Sequence, residues 1–228
     1  MRIVARELCA SRGGSVIAGP LDFALSGGEA LVVTGENGAG KSTLLRTLAG
    51  LLPLGGGALE IEGFLAADGE PARHLGDIAH YLGHRQAMKP AESVGGGLGF
   101  WRDFFGTPGL AIEAALAAVG LPGVAGLPFG YLSAGQQRRA AIARLLVAQR
   151  SVWILDEPTA ALDQGSQAMF ARLLAAHLET GGIVVAATHQ PLGLAARELR
   201  LERRGDASSP QGALSLDAAD RLAAEGWL

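Results

Sequence analysis

The chain has 228 residues, 49% of them hydrophobic and 18% charged, and a formal net charge of −3. That length sets an expectation of one domain with room for a subdomain and a large apolar core, and the charge argues against a general nucleic-acid surface. One cysteine, Cys9, excludes an internal disulfide and fits a reducing compartment. No secretory leader is expected, because Arg6 and Glu7 interrupt the opening apolar residues, and no membrane span, because Gly109 to Leu132 is broken by Glu113, Pro122, Pro128 and glycines.

Residues 1 to 33 read as β-rich. Leu21, Phe23 and Leu25 alternate with Asp22 and Ala24, the period of a half-buried strand. Ala30 to Val33 reads as a buried strand running into Gly35-Glu36-Asn37-Gly38-Ala39-Gly40-Lys41-Ser42, and Thr43 to Leu48 as the helix leaving it. The run fits G-x-x-x-x-G-K-[ST], the phosphate-binding loop. Gly35, Gly38 and Gly40 allow positive φ, so successive N–H groups converge on one anion. The helix N-terminus adds unpaired N–H groups and its dipole. Lys41 reaches the β- and γ-phosphates, and the Ser42 hydroxyl can ligate Mg²⁺.

Farther on, Leu59 and Ile61 alternate with Glu60 and Glu62 as another strand, and Gly55-Gly56-Gly57 before them reads as a loop. His80-Tyr81-Leu82 ends a further strand, with Gly83-His84-Arg85-Gln86 after it. In residues 87 to 130 the alternation gives way to helical spacing. Phe100, Trp101, Phe104 and Phe105 share one face, which reads as a small helical core; the alternative is a groove wall receiving a partner helix. Glycine inside a helix costs about 1 kcal/mol relative to alanine, so Gly95-Gly96-Gly97 put the start of this helix no earlier than Leu98.

Ser133 and Gln136 stand in capping-box spacing, so a helix begins there with Ile142, Leu145 and Leu146 on its apolar side. Ser151 to Leu155 is an apolar strand ending in Asp156-Glu157. Behind a phosphate loop these carboxylates gain meaning: Asp156 to help hold Mg²⁺, Glu157 to orient or deprotonate an attacking water. Ile183 to Thr188 is another buried strand ending at His189, which can reach the γ-phosphate. Strands alternating with helices imply a mostly parallel sheet with function at its carboxyl ends. Beyond Leu201 the pattern fades: Gly205 to Gly212 reads as linker, and Ala213 to Leu228 as either a short helix or disorder.

Over residues 1 to 204 these motifs resemble the ATP-binding cassette family. Gly35 to Ser42 matches its Walker A loop, Leu132-Ser133-Ala134-Gly135-Gln136 its signature (with Ala134 where Gly is commoner), Val152 to Glu157 its Walker B and catalytic glutamate, Ala161-Leu162-Asp163 its D-loop, and His189 its switch histidine. The resemblance implies an α/β P-loop NTPase of the ABC type: a mostly parallel sheet core, a β subdomain, a helical subdomain at about 87–135, and a tail at 205–228. It implies ATP and Mg²⁺ as cofactors. ATP would be held by Gly35, Glu36, Asn37, Gly38, Ala39, Gly40, Lys41, Ser42 and Thr43 of one copy, and by Ser133, Gly135, Gln136 and Asp163 of a second in a head-to-tail dimer. Glu157 and His189 would be catalytic, with Mg²⁺ on Ser42, Asp156 and Gln86. The family glutamine falls by spacing on His84, with Gln86 two residues later, so either can hold that role. Where the family commonly stacks adenine on an aromatic residue, this chain has Ser11-Arg12-Gly13-Gly14; Arg12 stacking and an ordinary turn both remain open.

Tyr81-Leu82-Gly83-His84, Met88-Lys89-Pro90, Phe100-Trp101, the run Leu132 to Arg139 and Trp153 to Glu157 are similar to the ATP-binding subunits of haem exporters in cytochrome c maturation. That subfamily implies integral membrane permease partners, a peripheral position on the cytoplasmic face of a bacterial inner membrane, and release of a haem-loaded chaperone. No residue reads as a direct haem ligand. The alternatives are the ATPase subunit of another transporter and a soluble repair or translation ATPase; the chain has neither the long coiled-coil insertion nor the second cassette of the latter groups.

Overall fold

The computed structural model describes residues 1–203. The linker and tail expected at 205–228 lie outside the described residues. The chain opens with two antiparallel strands, β1 (Arg2–Arg12) and β2 (Ser15–Ser26). Strand β3 (Ala30–Gly35) then leads into helix α1 (Lys41–Leu48), and β4 (Leu54–Glu62) returns to pair with β1. After β5 (Ala79–Leu82) come helices α2 (Val94–Phe105), α3 (Ile112–Ala118) and α4 (Ala134–Val147), then β6 (Val152–Asp156), α5 (Gln164–Glu179), β7 (Ile183–Ala187) and β8 (Arg197–Leu201).

The strands form two sheets. One is antiparallel, in the order β2-β1-β4; the other has the order β5-β6-β7-β3-β8 and every neighbour in it is parallel. Strands β6 and β7 are buried along their whole length, as apolar strands covered on both faces must be. One core lies between this sheet, the antiparallel sheet and α1, where Leu44, Leu45 and Leu48 are fully buried; each such side chain contributes roughly 1.5–3 kcal/mol. The other core joins the sheet to α2, α3, α4 and α5. No helix among the described residues is long and apolar enough to cross a membrane.

Three expectations are corrected. Gly55-Gly56-Gly57 is not a loop but part of β4, with Gly56 paired to Cys9 of β1 between two register shifts. The strand needs glycine because it runs close to the β1 backbone, where Glu7 has φ 46°; a Cβ on Gly57 would collide with the Glu7 and Arg6 carbonyl oxygens. Helix α2 starts at Val94, before its glycines. The Ser93 hydroxyl caps it, accepting from the Gly96 N–H at 3.1 Å. Close packing overrides the propensity cost: a Cβ on Gly95 would lie 3.1 Å from the Ala125 carbonyl, and one on Gly97 2.6 Å from Met88 Cε.

The third correction concerns the aromatics of α2, which do not form a helical core. Phe100 is 59% exposed and Phe104 66%. Trp101 and Phe105 are half-buried under cations: Arg144 lies 4.6 Å from the Trp101 ring centroid and Arg150 4.4 Å from that of Phe105. The Trp101 indole donates to the Ala87 carbonyl at 2.8 Å. Strand β8, which carries Arg197, Glu198 and Arg200, shows none of the apolar run expected of a sheet strand; it is an edge strand beside β3, where charge is tolerated.

His80 on β5 is buried, its ring edge-on to Phe105 at 4.7 Å and its Nε2 2.9 Å from the Ala148 carbonyl oxygen. Burial, with lesser contributions from Arg144 and Arg150, pushes its pKa down to about 3. His177, stacked on Trp153 at 4.0 Å, is pushed down to about 4 by burial. Both rings are neutral when folded and protonate near pH 6.5 when unfolded, so the unfolded chain binds more protons below that pH. Stability is therefore expected to fall as pH drops from about 6.5 toward 4, and His80→Gln should make the fall shallower by up to about 1.4 kcal/mol per pH unit, read from denaturant unfolding at several pH values. Gly57→Ala should cost about 1–3 kcal/mol through overpacking, while Gly56→Ala, whose Cβ meets only ordinary contacts with Cys9, should be near neutral in the same measurement.

Candidate active site

Four parallel strands deliver the site. The carboxyl ends of β3, β5, β6 and β7 lie along one edge of the sheet, and those ends and the segments leaving them carry the phosphate loop, His84, Asp156-Glu157 and His189. A cleft of about 470 Å³ there is lined by Arg12, Ile17, Asn37, Gly38, Gly40, Lys41, Ser42, Thr43, His84, Asp156, Glu157 and His189. Residues more than 140 positions apart thus meet.

The loop takes the shape its glycines allow, with φ of 138° at Gly35, 84° at Gly38 and 95° at Gly40. Gly40 is the N-cap of α1, so the first N–H groups of the helix open toward the loop. Gly40 also has no room for a side chain: a Cβ would lie 2.8 Å from Ile17 Cγ2. The Lys41 ammonium donates to the Gly35 carbonyl at 2.7 Å and the Glu36 carbonyl at 3.0 Å, which holds it over the loop.

Opposite stand the carboxylates. Asp156, the last residue of β6, is 2% exposed, and the Tyr81 hydroxyl approaches its Oδ2 at 3.4 Å. Glu157 adopts φ 45°, a region a non-glycine residue enters at a cost of about 1–3 kcal/mol. Its N–H donates to the Ala187 carbonyl at 2.8 Å, and its Oε1 lies 3.8 Å from His189 Nε2.

The donor set suits Mg²⁺. Among the described residues no group of three or more His, Cys, Asp or Glu side chains converges to cage a metal. Mg²⁺ needs no such cage, since proteins generally hold it through one or two carboxylates and the substrate's own phosphates, and a buried carboxylate and a helix-start hydroxyl both line this cleft. Of the two expected partners after β5, His84 lines the cleft, whereas the Gln86 amide oxygen accepts from Arg138 at 3.3 Å and is absent from the lining.

Ser133, Gly135, Gln136 and Asp163 are not brought to this cleft. Ser133 caps α4, its hydroxyl accepting from the Gln136 N–H at 3.3 Å while its own N–H donates to Gln136 Oε1 at 2.9 Å. Asp163 caps α5, accepting from the Ser166 N–H at 2.7 Å, and that bond holds its exposed carboxyl below the usual range. Gly135 lies against Ala161, whose carbonyl oxygen would be 3.1 Å from an added Cβ. The signature and the D-loop therefore form a second, separate cluster.

Residues 18–160 match the family described as ABC transporter. The chain belongs to the ABC transporter ATPase family. It is 54% identical over 201 residues to the cytochrome c biogenesis ATP-binding export protein CcmA of Mesorhizobium japonicum, covering 88% of this chain and 98% of that protein. It is 56% identical to the protein of the same name from Rhizobium johnstonii, covering 85% and 91%. Among solved structures, a putative ABC transporter ATP-binding protein from Pyrococcus furiosus is similar at TM-score 0.75 and 22% identity, covering 88% of this chain and 98% of that one. A dimeric bacterial ABC transporter cassette matches at TM-score 0.73 and 23% identity, covering 88% and 94%. These two share the fold.

One residue of this ABC ATPase had no role assigned from sequence. Arg138, six residues past Leu132 in the signature run, is 2% exposed. Burial pushes its pKa down to about 10, opposed by Asp156 and Glu157, so it stays charged near neutral pH. An arginine in the middle of a helix reads as solvated; only the packing of α4 against β6 reveals it as buried.

The unequal placement of the residues after β5 has a measurable consequence. His84→Ala should weaken Mg²⁺–ATP binding by about 2–10-fold, one hydrogen bond's worth. Gln86→Ala should leave it nearly unchanged in the same titration.

Proposed function

We propose that this chain is the ATP-hydrolysing subunit of a transporter complex that exports haem, or releases a haem-loaded chaperone, in cytochrome c maturation. The observation that carries the reading is the convergence of Lys41, Ser42, Asp156, Glu157 and His189 on one cleft, in a chain 52–56% identical to relatives named cytochrome c biogenesis ATP-binding export proteins.

In the proposed mechanism the glycine loop and the start of α1 bind the ATP phosphates through backbone N–H groups, and Lys41 turns its ammonium to the β- and γ-phosphates. Ser42 and Asp156 would hold Mg²⁺, with His84, which lines the cleft, as a further partner in place of Gln86. When bound, the ion neutralises charge on the β- and γ-phosphates. Glu157 accepts a proton from the water that attacks the γ-phosphorus, the bond to the β-phosphate oxygen breaks, and ADP and phosphate leave. His189 donates to the γ-phosphate and helps hold that water. The strained backbone at Glu157 supports its role, because such conformations gather at functional sites.

Residues 1–204 serve as the ATPase domain and about 87–135 as its helical subdomain. The separation of Ser133, Gly135, Gln136 and Asp163 from the chain's own cleft supports a head-to-tail dimer in which they serve a second copy's nucleotide. Exposed Phe100 and Phe104 on α2 support docking of a membrane permease, which would hold the chain at the cytoplasmic face of an inner membrane. No residue is assigned to haem, and no nucleic acid is involved.

Glu157→Gln should keep ATP binding and lower hydrolysis by at least about 100-fold, the scale of general base catalysis; Lys41→Ala should weaken binding itself. In a deletion strain, haem-stained c-type cytochromes should disappear, return with the wild-type gene, and stay absent with Glu157→Gln, while b-type cytochromes persist. Normal c-type cytochromes in the deletion would leave the ATPase of some other transporter as the reading.

A further inference from the structure

Arg138 lies five residues after Ser133, about 7.5 Å along the same helix at 1.5 Å per residue. A guanidinium carries five donors in a rigid fork, and this one spends them on two segments. Its Nε donates to the Pro158 carbonyl at 3.0 Å. One terminal nitrogen donates to the Gly83 carbonyl at 2.8 Å and to Gln86 Oε1 at 3.3 Å. The other donates to the Asp156 carbonyl at 3.1 Å and the Glu157 carbonyl at 2.7 Å. Helix α4 is thereby fastened to the segment after β5 and to the backbone on both sides of Glu157.

The Glu157 backbone is the strained member of this set, at φ 45°. Such a conformation persists only where its surroundings over-determine it. Here the Ala187 carbonyl holds its N–H, and Arg138 holds its carbonyl. A movement of α4 relative to the sheet must therefore change the aim of the Glu157 carboxylate.

We infer that Arg138 is a positioning residue that ties the orientation of this chain's Glu157 to the placement of α4. The inference rests on the proposed in-trans role of Ser133. Ser133 at the start of α4 engages the ATP held in the second copy's cleft, and Arg138 passes the resulting placement of α4 to Glu157 in this chain's own cleft. The two ATP molecules of a head-to-tail dimer are then coupled through one buried side chain in each copy, and the coupling acts on the rate of the chemical step.

The test uses the full-length chain purified with its membrane partner. In Arg138→Lys, a point charge replaces a fork that must span Gly83, Asp156 and Glu157. This variant and Arg138→Gln should lower kcat by about 10–100-fold, the cost of a catalytic group displaced by about 1 Å, with little change in the affinity for a fluorescent ATP analogue. The ATP dependence of the rate should also lose its cooperativity. Wild-type kcat and cooperativity in Arg138→Lys would overturn the inference, as would a parallel loss of binding, rate and thermal stability. A second measurement leaves Arg138 untouched, in a complex of one wild-type copy and one Ser133→Ala copy. Its intact composite site uses the Glu157 of the altered copy. Independent sites would give half the wild-type rate, which overturns the inference; a rate clearly below half supports it. Wild-type hydrolysis by a complex with Ser133→Ala in both copies would instead overturn the in-trans reading on which the inference rests.

Discussion

The parallel alignment of β3, β5, β6 and β7 is the constraint on which the rest depends. Parallel strands end on a common edge, so each crossover that returns the chain to the sheet adds another loop to that edge. Strands β6 and β7 are buried throughout, and their backbone polar groups pair with the neighbouring strands, the Asp156 carbonyl also accepting from Arg138. Their register therefore cannot drift without exposing unpaired groups. That rigidity lets a glycine loop after β3 face carboxylates at the end of β6 and a histidine after β7, although these three segments are far apart in the chain.

Buried cations form a second layer of order. Arg138 and Arg144 lie on α4 in the interior, each with its pKa pushed down to about 10 by burial. Isolated charges there would be very costly; these are held by carbonyl oxygens and rings. Arg144 donates to the Tyr81 carbonyl and packs over Trp101. Arg150 donates to the Asp77 and Phe105 carbonyls and packs over Phe105. The half-buried face of α2 is thus pinned by α4 and the turn after it, which leaves Phe100 and Phe104 facing outward. A partner helix resting on those rings would press on the same framework that reaches Tyr81 and, through its hydroxyl, Asp156.

Much of this was legible in the sequence because it is local. The phosphate loop is set by φ requirements that only glycine meets cheaply, and its three positive-φ glycines stand at the positions the spacing named. The capping box at Ser133 and Gln136 forms as read. The apolar runs ending at Asp156 and before His189 are buried strands. Periodicity and capping are decided within a few residues, so a sequence carries them openly.

What the sequence left open was decided by contacts between distant segments. The glycines of β4 look like a loop until β1 bulges beside them, and the glycines of α2 look like helix breakers until Ala125 and Met88 fill the space a side chain would need. The α2 aromatics have the spacing of a core, yet which ring is covered depends on where Arg144 and Arg150 fall. Spacing puts the family position on His84 and residue type favours Gln86 two residues later, but one lines the cleft and the other turns to Arg138. The sequence by itself determined the parts whose geometry follows from φ preference, hydrogen-bonding pattern and period. The tertiary structure alone decided which of its charged and aromatic side chains are buried, because burial depends on what distant segments pack against them.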